Sequence, residues 1–286
     1  MKIFLSDAGK AFRRVVRYKF RLATSPLRAL PNFIIAGTEK GGTSLLFQTL
    51  GSHRQVRTSM IKEVEFFGNA SQGTISQIHL DQLRYAQYFP LKYQLRKIAK
   101  NLNARVITGE ASPGYLYSPE ACKRIKNMVP DVKIIILLRD PIQRAYSKYF
   151  HAKRKGMETL TFTDAVRLEM QQRDPKTCVT ADGSKKKKNY LGYGLYCEQL
   201  ERYFKLFDRQ QIHIVQSEFS SSNFQSAYSD ILKFLEIEPD PSQVFHRVEK
   251  KQYPEIDKEV FRELKDFFSL PNKNLYELLG VDFGWQ

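Results

Sequence analysis

Short apolar runs alternate with segments of helical periodicity along most of the chain. Four runs are rich in β-branched residues and nearly continuous, which predicts buried strands: Phe33 to Ala36, Arg105 to Thr108, Lys133 to Leu138 and Ile212 to Val215. Helical spacing predicts helices near Thr43 to Leu50, Pro119 to Met128, Gln143 to Lys155, Phe162 to Gln172, Cys197 to Phe207 and Ala227 to Leu235. Continuous apolar strands separated by helices predict an α/β fold with a central parallel sheet flanked by helices on both faces.

The first thirty residues differ from the rest of the chain. The stretch KAFRRVVRYKFRLA places Phe12, Val16 and Phe20 on one helical face, with arginines on the others. Such a basic amphipathic helix either packs on the domain or lies on an anionic membrane surface. With no internal repeat or long low-complexity linker in view, the simplest division is an arm at residues 1–30 and one domain at residues 31–286.

Composition adds an expectation about partners. The 286-residue chain is 42% apolar, which suits a packed core, and its formal net charge of +16 implies an anionic partner. Nucleic acid, acidic lipid, a charged polysaccharide and a nucleotide cofactor each satisfy that charge. The lysine run at 185–188 is expected to be a solvated loop.

The lengths of the apolar runs and the number of cysteines favour a cytoplasmic protein. No apolar run approaches the roughly 18 residues of a membrane span, and the first residues lack a hydrophobic signal core. The three cysteines, Cys122, Cys178 and Cys197, have no metal-type spacing, and their odd number argues against a complete disulfide framework. We therefore expect a reducing compartment and no metal site.

The stretch NFIIAGTEKGGTSLLFQTL is the first candidate site. Gly37 and Gly42 have the spacing of a phosphate-binding Walker A loop, but Thr43 stands at the lysine position and the lysine is Lys40. Backbone amides over residues 41–44, at a helix N-terminus, still suit a phosphate. A strand–turn–helix with two adjacent glycines is also common as a turn that binds no ligand. A second motif is therefore needed to support a phosphate site.

That motif is KIIILLRDPIQRAYSKYFH. The strand places Arg139 at its carboxyl end, Pro141 opens a helix, and Ser147 follows on that helix. Because ligands bind at the carboxyl ends of parallel strands, Arg139 is expected to face the same crevice as the glycine loop. An arginine fork with a hydroxyl suits a second phosphate. The alternative is that Arg139 merely pairs with Asp140 or Glu110.

Together the two motifs resemble the sulfotransferase family that uses 3′-phosphoadenosine 5′-phosphosulfate (PAPS). The similarity continues through KEVEFFGN, EASPGYLYSP, GLYCEQLERYFKLF and PNKNLYELLGVDFGW, and it is greatest to the heparan sulfate N-sulfotransferases and glucosaminyl 3-O-sulfotransferases. The resemblance implies a P-loop-like domain over residues 31–286, PAPS as co-substrate, and sulfuryl transfer to a hydroxyl or amine without a metal.

The resemblance also implies roles for individual residues. A hydroxyl or amine must lose a proton as it attacks sulfur, and Glu63 matches the family's glutamate base. Lys40 matches the lysine that stabilises the leaving oxygen, and His151 matches a histidine near the reaction centre. The implied cofactor contacts are Gly41, Gly42, Thr43 and Ser44 at the 5′-phosphate, Arg139 and Ser147 at the 3′-phosphate, and Lys250 and Lys251 as further candidates there.

Some positions depart from the family. Ala111 stands where relatives carry a lysine, and Glu65 and Gly68 stand where the 3-O-sulfotransferases carry His and Asp. Acceptor recognition is therefore expected to differ. The family's disulfide near the loop RVEKKQYPEID has no equivalent cysteines here, in keeping with a cytosolic protein.

The acceptor is not named by the sequence. The resemblance favours an acidic or neutral glycan or glycolipid, with no nucleic acid as partner. A P-loop kinase would share the sheet and the glycine turn, but it would need a lysine at Thr43 and a magnesium site, for which Asp140 is the candidate. A non-catalytic polyanion or nucleic-acid binder would account for the charge but not for Glu63 or the two phosphate motifs.

Overall fold

The structure is a computed structural model that describes residues 7–69, 75–171, 189–218, 221–245 and 253–285. The predicted solvated run at 185–188 and the two candidate phosphate ligands Lys250 and Lys251 lie outside these residues.

A five-stranded parallel sheet forms the centre of the fold, with the strands in the order β2-β3-β1-β4-β5. The strands are β1 (Phe33–Ile35), β2 (Val56–Thr58), β3 (Ile107–Ala111), β4 (Lys133–Leu138) and β5 (Ile212–Gln216). Because β1 is central and its neighbours β3 and β4 follow later in the chain, a crevice is expected at the carboxyl end of β1.

Helices connect the strands. The α-helices are α1 (Asp7–Ala23), α2 (Thr43–Ser52), α3 (Phe66–Asn69), α4 (Ile75–Ala86), α5 (Lys92–Leu102), α6 (Gly114–Tyr117), α7 (Pro119–Met128), α8 (Pro141–Arg154), α9 (Phe162–Met170), α10 (Tyr196–Phe204), α11 (Ser221–Leu235) and α12 (Lys258–Leu279). Short 3₁₀ turns lie at Ser25–Leu27, Gly192–Gly194 and Arg209–Gln211. None of the helices in the described ranges is long and apolar enough to cross a membrane.

Both faces of the sheet are covered, as the continuous apolar strands predict. In β1 and β4, Ile34 and Ile134 face a core that includes residues of α7 and α10, whereas Ile35 and Ile135 face a core with α2 and α11. Alternate side chains of one strand point to opposite faces, so each strand contributes to both cores. The predicted fold class is confirmed.

The strand prediction was wrong in two places. The third strand runs from Ile107 to Ala111, not from Arg105 to Thr108, because Gly109 and Glu110 continue it. Gly109 is required there, since a Cβ would lie 2.5 Å from the carbonyl oxygen of Phe33 on β1. The short strand β2 was missed, because three residues with an arginine among them carry no strand periodicity.

The helix prediction was incomplete. The six predicted helices correspond to α2, α7, α8, α9, α10 and α11, with ends shifted by a few residues and α11 beginning six residues early. Helices α3, α4, α5, α6 and α12 were not predicted from the sequence. The last of these contains Pro271, which discourages a helix assignment from sequence although the helix continues through it.

Candidate active site

The loop between β1 and α2 makes a tight turn that only glycine permits at two positions. At Gly41 a Cβ would lie 2.6 Å from Cγ2 of Thr38, and Gly42 has a φ of 84° in the left-handed region. Gly42 is also the N-cap of α2, and no side chain caps the helix. The first amides of α2 therefore face the loop without a protein side chain bound to them, as an anion site requires.

The two hydroxyl residues at the start of α2 differ in position. Thr43 is buried as the first residue of the helix, whereas Ser44 is exposed beside it. The first turn of α2 contains no acidic residue. No carboxylate in that turn therefore neutralises the partial positive charge of the helix N-terminus.

Lys40 lies in the middle of the loop with a φ of 63°, a conformation that a non-glycine residue rarely adopts. Burial, and next the nearby ammonium of Lys148, lower the pKa of Lys40 to about 8. The ammonium is thus partly desolvated yet still mostly charged at neutral pH. A cation in such a site interacts strongly with a nearby anion.

Arg139 joins the two sequence motifs. Its Nη1 donates a hydrogen bond to the carbonyl oxygen of Lys40 at 2.9 Å, so the guanidinium lies against the glycine loop, as predicted for a shared crevice. The hydroxyl of Tyr196 donates to the carbonyl oxygen of Arg139 at 2.8 Å. The alternative pairing with Asp140 or Glu110 is not what the structure shows for this side chain.

Asp140 has a different task, because its carboxylate caps α8 by accepting hydrogen bonds from the amides of Ile142 and Gln143. The alternative magnesium role of Asp140 gains no support from this geometry. Ser147 lies half-buried on the same helix, which begins at Pro141, two residues after Arg139.

Further along α8, a basic cluster approaches Lys40. Lys148 forms an ion pair with Glu39, the residue before Lys40. Burial lowers the pKa of His151, and the charges of Lys40 and Lys155 lower it further. The structure therefore brings His151 within electrostatic range of Lys40, although these residues are far apart in the sequence.

Glu63 lies in the loop after β2 and has a strained backbone. Its φ is 58° and that of Glu65 is 50°, so two non-glycine residues within three positions adopt the left-handed region. Such strain persists where surrounding contacts hold it, and it is common at active sites. The Glu63 side chain is 52% exposed and forms an ion pair with Lys62. The carboxylate is thus open to a molecule entering from solvent.

A buried hydrogen-bond network holds this loop. The hydroxyls of Tyr85, Ser112 and Tyr115 all donate to the fully buried carboxylate of Glu110, Ser112 at 2.6 Å and Tyr115 at 3.2 Å. Ser112 Oγ in turn accepts from the amide of Glu65 at 3.0 Å. Burial, which exceeds the opposing effect of these hydrogen bonds, raises the pKa of Glu110 to about 7.

The network binds the loop at two further points. The hydroxyl of Tyr115 accepts from the amide of Phe66 at 2.8 Å, and the amide of Glu63 donates to the carbonyl oxygen of Ala111 at 2.9 Å. The end of β3 therefore positions the segment from Glu63 to Phe66. This network was not predicted from the sequence, where its local signal is limited to an acidic residue followed by a serine and a tyrosine in EASPGY.

Glu65 occupies the inner side of the same loop. Burial raises its pKa, and the carboxylates of Glu63 and Glu39 raise it further. Tyr117 and Tyr193 stack face to face nearby with ring centroids 4.0 Å apart. Burial raises the pKa of Tyr193, and the carboxylates of Glu39 and Glu65 raise it further. This stacked tyrosine pair was not predicted, because its members are distant in sequence.

Two positions that depart from the family pattern, Ala111 and Gly68, carry small uncharged residues. Ala111, which replaces the family lysine, is fully buried and supplies no charge. A Cβ added at Gly68 would lie 3.4 Å from Oε2 of Glu65, an ordinary van der Waals distance, so packing here does not require glycine. Within the described residues, no group of three or more His, Cys, Asp or Glu is arranged to hold a metal ion.

Comparisons with known proteins agree with this geometry. The family profile described as "Sulfotransferase domain" matches residues 30–266. The chain is 25% identical to membrane-associated sulfotransferase kil1 of Dictyostelium discoideum, over 91% of this chain and 67% of that protein. It is 26% identical to heparan sulfate glucosamine 3-O-sulfotransferase 5 of Mus musculus, over 96% of this chain and 82% of that protein.

A solved structure agrees as well. The crystal structure of a sulfotransferase from Alicyclobacillus acidocaldarius superposes with a TM-score of 0.65 at 26% identity, covering 90% of this chain and 99% of that one. The profile match spans most of the chain, including the glycine loop, the Glu63 loop and the Arg139 strand. This chain therefore belongs to the sulfotransferase family and is a transferase enzyme.

Proposed function

We propose that this sulfotransferase moves a sulfuryl group from PAPS to a hydroxyl or amine of a glycan or glycolipid. The observation that carries the proposal is the hydrogen bond from Arg139 to the Lys40 carbonyl oxygen. It joins two cationic motifs at one edge of the sheet, and a molecule with two separate phosphate groups is the ligand that such a pair suits.

The residues present fit this cofactor. The turn at Gly41 has no room for a Cβ, and the N-terminus of α2 has no side-chain cap. The amides there and the Ser44 hydroxyl would bind the 5′-phosphate. Arg139 and Ser147 would hold the 3′-phosphate. Lys250 and Lys251 are proposed as additional ligands there, outside the described residues. When bound, PAPS supplies the sulfuryl group and a phosphate leaving group.

Three side chains would then carry the chemistry. Glu63 would accept the proton of the attacking hydroxyl or amine, and its solvent-exposed carboxylate on a loop held by β3 supports this role. Lys40 would stabilise the negative charge on the leaving oxygen, and a pKa of about 8 keeps its ammonium charged at neutral pH. His151 would donate a hydrogen bond near the same centre.

The acceptor class follows from charge and from the relatives. Heparan sulfate enzymes are among the similar proteins. Burial lowers the pKa of Lys40, and the nearby charges of Lys148, Arg154 and Lys155 lower it further. These cations suit an acidic glycan. The same region also holds the carboxylates of Glu39, which pairs with Lys148, and of Glu65, and these suit hydroxyl groups of a neutral sugar. An acidic or neutral glycan or glycolipid suits both kinds of group, and no nucleic acid is needed.

The test is a transfer assay. Radiolabelled PAPS is incubated with wild-type protein and a panel of acidic glycans, neutral glycans, glycolipids and phenols, with Glu63→Gln as the control for enzymatic transfer. We expect label in a glycan or glycolipid only with the wild type. Label transfer from ATP with magnesium instead would favour the kinase alternative, and no transfer to any acceptor would favour a non-catalytic binder.

We further propose that the protein works in the cytoplasm, peripherally on a membrane. Support comes from the free thiols of Cys122 and Cys197 and from the basic helix α1. Residues 1–30 would be the arm that contacts anionic lipid, and residues 31–286 the sulfotransferase domain. Flotation of the full chain with anionic vesicles, weakened by salt, is the expected result.

A further inference from the structure

Helix α1 exposes apolar side chains that the domain does not cover. Phe12 is 70% exposed, Phe20 60% and Val16 48%, and they lie on one side of the helix. Arg17 and Arg21 lie on another side. Folded domains rarely leave contiguous apolar side chains in water unless they bind something.

Helix α5 is a second basic helix with no buried residue. Lys92, Arg96 and Lys100 are spaced by four and lie on one side, with Tyr93 and Lys97 next to them. All five are exposed, Tyr93 by 72%, and α5 contains no acidic residue. The other exposed residues of α5, Gln94 and Asn101, are neutral, so every charge on its outer side is positive.

The segment that follows α1 meets the beginning of α5. Arg28 forms an isolated antiparallel bridge with Leu91, and Nζ of Lys92 donates to the carbonyl oxygen of Pro26 at 3.2 Å. Between them, Leu27 is 64% exposed. Exposed apolar groups and cations thus continue from α1 across the 3₁₀ turn to α5.

We propose that α1, Leu27 and the outer side of α5, named here the basic corner, form one surface that binds an anionic lipid bilayer. The proposal rests on the membrane contact proposed for residues 1–30 and adds α5, which the sequence analysis did not predict as a helix. Nucleic acid or an acidic glycan would pair with the cations but leave Phe12 and Leu27 in water. A bilayer interface takes apolar side chains, tyrosine and cations together.

The experiment uses the full chain with two matched sets of four substitutions. One set neutralises α5: Lys92→Gln, Arg96→Gln, Lys97→Gln and Lys100→Gln. The control set neutralises four exposed cations of α12: Lys258→Gln, Arg262→Gln, Lys265→Gln and Lys273→Gln. Each set removes the same charge. A difference in vesicle binding between the two sets therefore shows that the position of the cations matters, and not only the total charge. A third variant, Phe12→Ser with Phe20→Ser, tests the apolar side of α1.

Binding is measured by co-sedimentation with phosphatidylcholine vesicles that contain phosphatidylserine and with vesicles of phosphatidylcholine alone. Because each basic residue near an anionic surface contributes an attraction, we expect the α5 set to weaken binding to the anionic vesicles by about tenfold or more. The α12 set should change it by less than about twofold. The α1 variant should weaken binding to the anionic vesicles too.

Several outcomes would overturn the proposal. Equal losses from the two sets would show that total charge, not the basic corner, sets the affinity. Normal vesicle binding by the α5 set alongside a loss in the α1 variant would restrict the contact to the arm. A loss of heparin binding with vesicle binding retained would assign α5 to a glycan. The thermal shift produced by 3′-phosphoadenosine 5′-phosphate (PAP), measured on the same samples, tests the cofactor site independently of the membrane contact.

Discussion

The buried carboxyl of Glu110 makes a prediction about stability and pH. Burial raises the pKa of Glu110 from 4.5 to about 7, so in the folded protein it holds a proton over a pH range where the unfolded chain has lost it. Stability therefore falls as the pH rises from 4.5 to about 7 and levels off above the folded pKa. At about 1.36 kcal/mol for each pH unit, this change amounts to about 3 kcal/mol.

Glu110→Gln is the perturbation that isolates this contribution. Glutamine has the shape of the neutral acid and keeps an oxygen for the donating hydroxyls of the network, so the variant is expected to fold. It cannot ionise. The free energy of unfolding of the wild type, minus that of the variant, should fall by about 3 kcal/mol between pH 4.5 and pH 8.

Urea unfolding of both proteins at several pH values measures the difference directly, and effects of other titrating groups cancel in the subtraction. Ser112→Ala provides a second check, because it removes a hydrogen bond that lowers the Glu110 pKa. The stability loss should then extend to higher pH. Parallel curves for the wild type and Glu110→Gln across this range would refute the reasoning.

Three further predictions concern turnover. Glu63→Gln removes the proposed base at nearly constant size, so transfer should fall by about 100-fold or more while PAP affinity, measured by calorimetry, barely changes; near-normal turnover would point to His151 instead. Lys40→Ala should lower turnover by on the order of 100-fold and also weaken PAPS binding, because in the proposed site the ammonium would contact the cofactor before and during transfer. Steady-state kinetics would separate the two effects. Tyr115→Phe and Tyr85→Phe each remove a hydroxyl bound to Glu110, but only the Tyr115 hydroxyl also binds the Glu63 loop. Turnover should therefore fall about tenfold or more in Tyr115→Phe alone. An equal fall in both variants would argue that Tyr115 does not act by positioning this loop.

The sequence predicts the centre of the fold well, because β1, β4 and β5 are apolar almost throughout and need no distant partner to be recognised. At β3 the same reasoning fails. Glycine and glutamate usually end a strand, yet Gly109 is needed where β1 passes closely, and Glu110 is satisfied by Tyr85, which lies 25 residues earlier. Such long-range pairing leaves no periodic signal.

The candidate site likewise has features that the sequence predicts and features that it does not. The glycine loop and Arg139 could be predicted to share a crevice, because strand order places them together, and the structure shows that contact. The ion pair between Glu39 and Lys148 joins residues 109 positions apart and could not be predicted. The left-handed backbone of Glu63 could not be predicted either, because only tertiary contacts stabilise that conformation in a residue with a side chain.

The most direct test of the proposed PAPS site, in the crevice between the glycine loop and Arg139, is calorimetric titration of the wild-type protein. The two ligands are PAP and AMP, which lacks the 3′-phosphate. If Arg139 and Ser147 bind that group, PAP should bind about 10-fold to 100-fold more tightly than AMP, as expected for charge-assisted hydrogen bonds. Arg139→Ala should remove most of the difference. Equal affinities for PAP and AMP in the wild type would contradict the assignment of this crevice to PAPS.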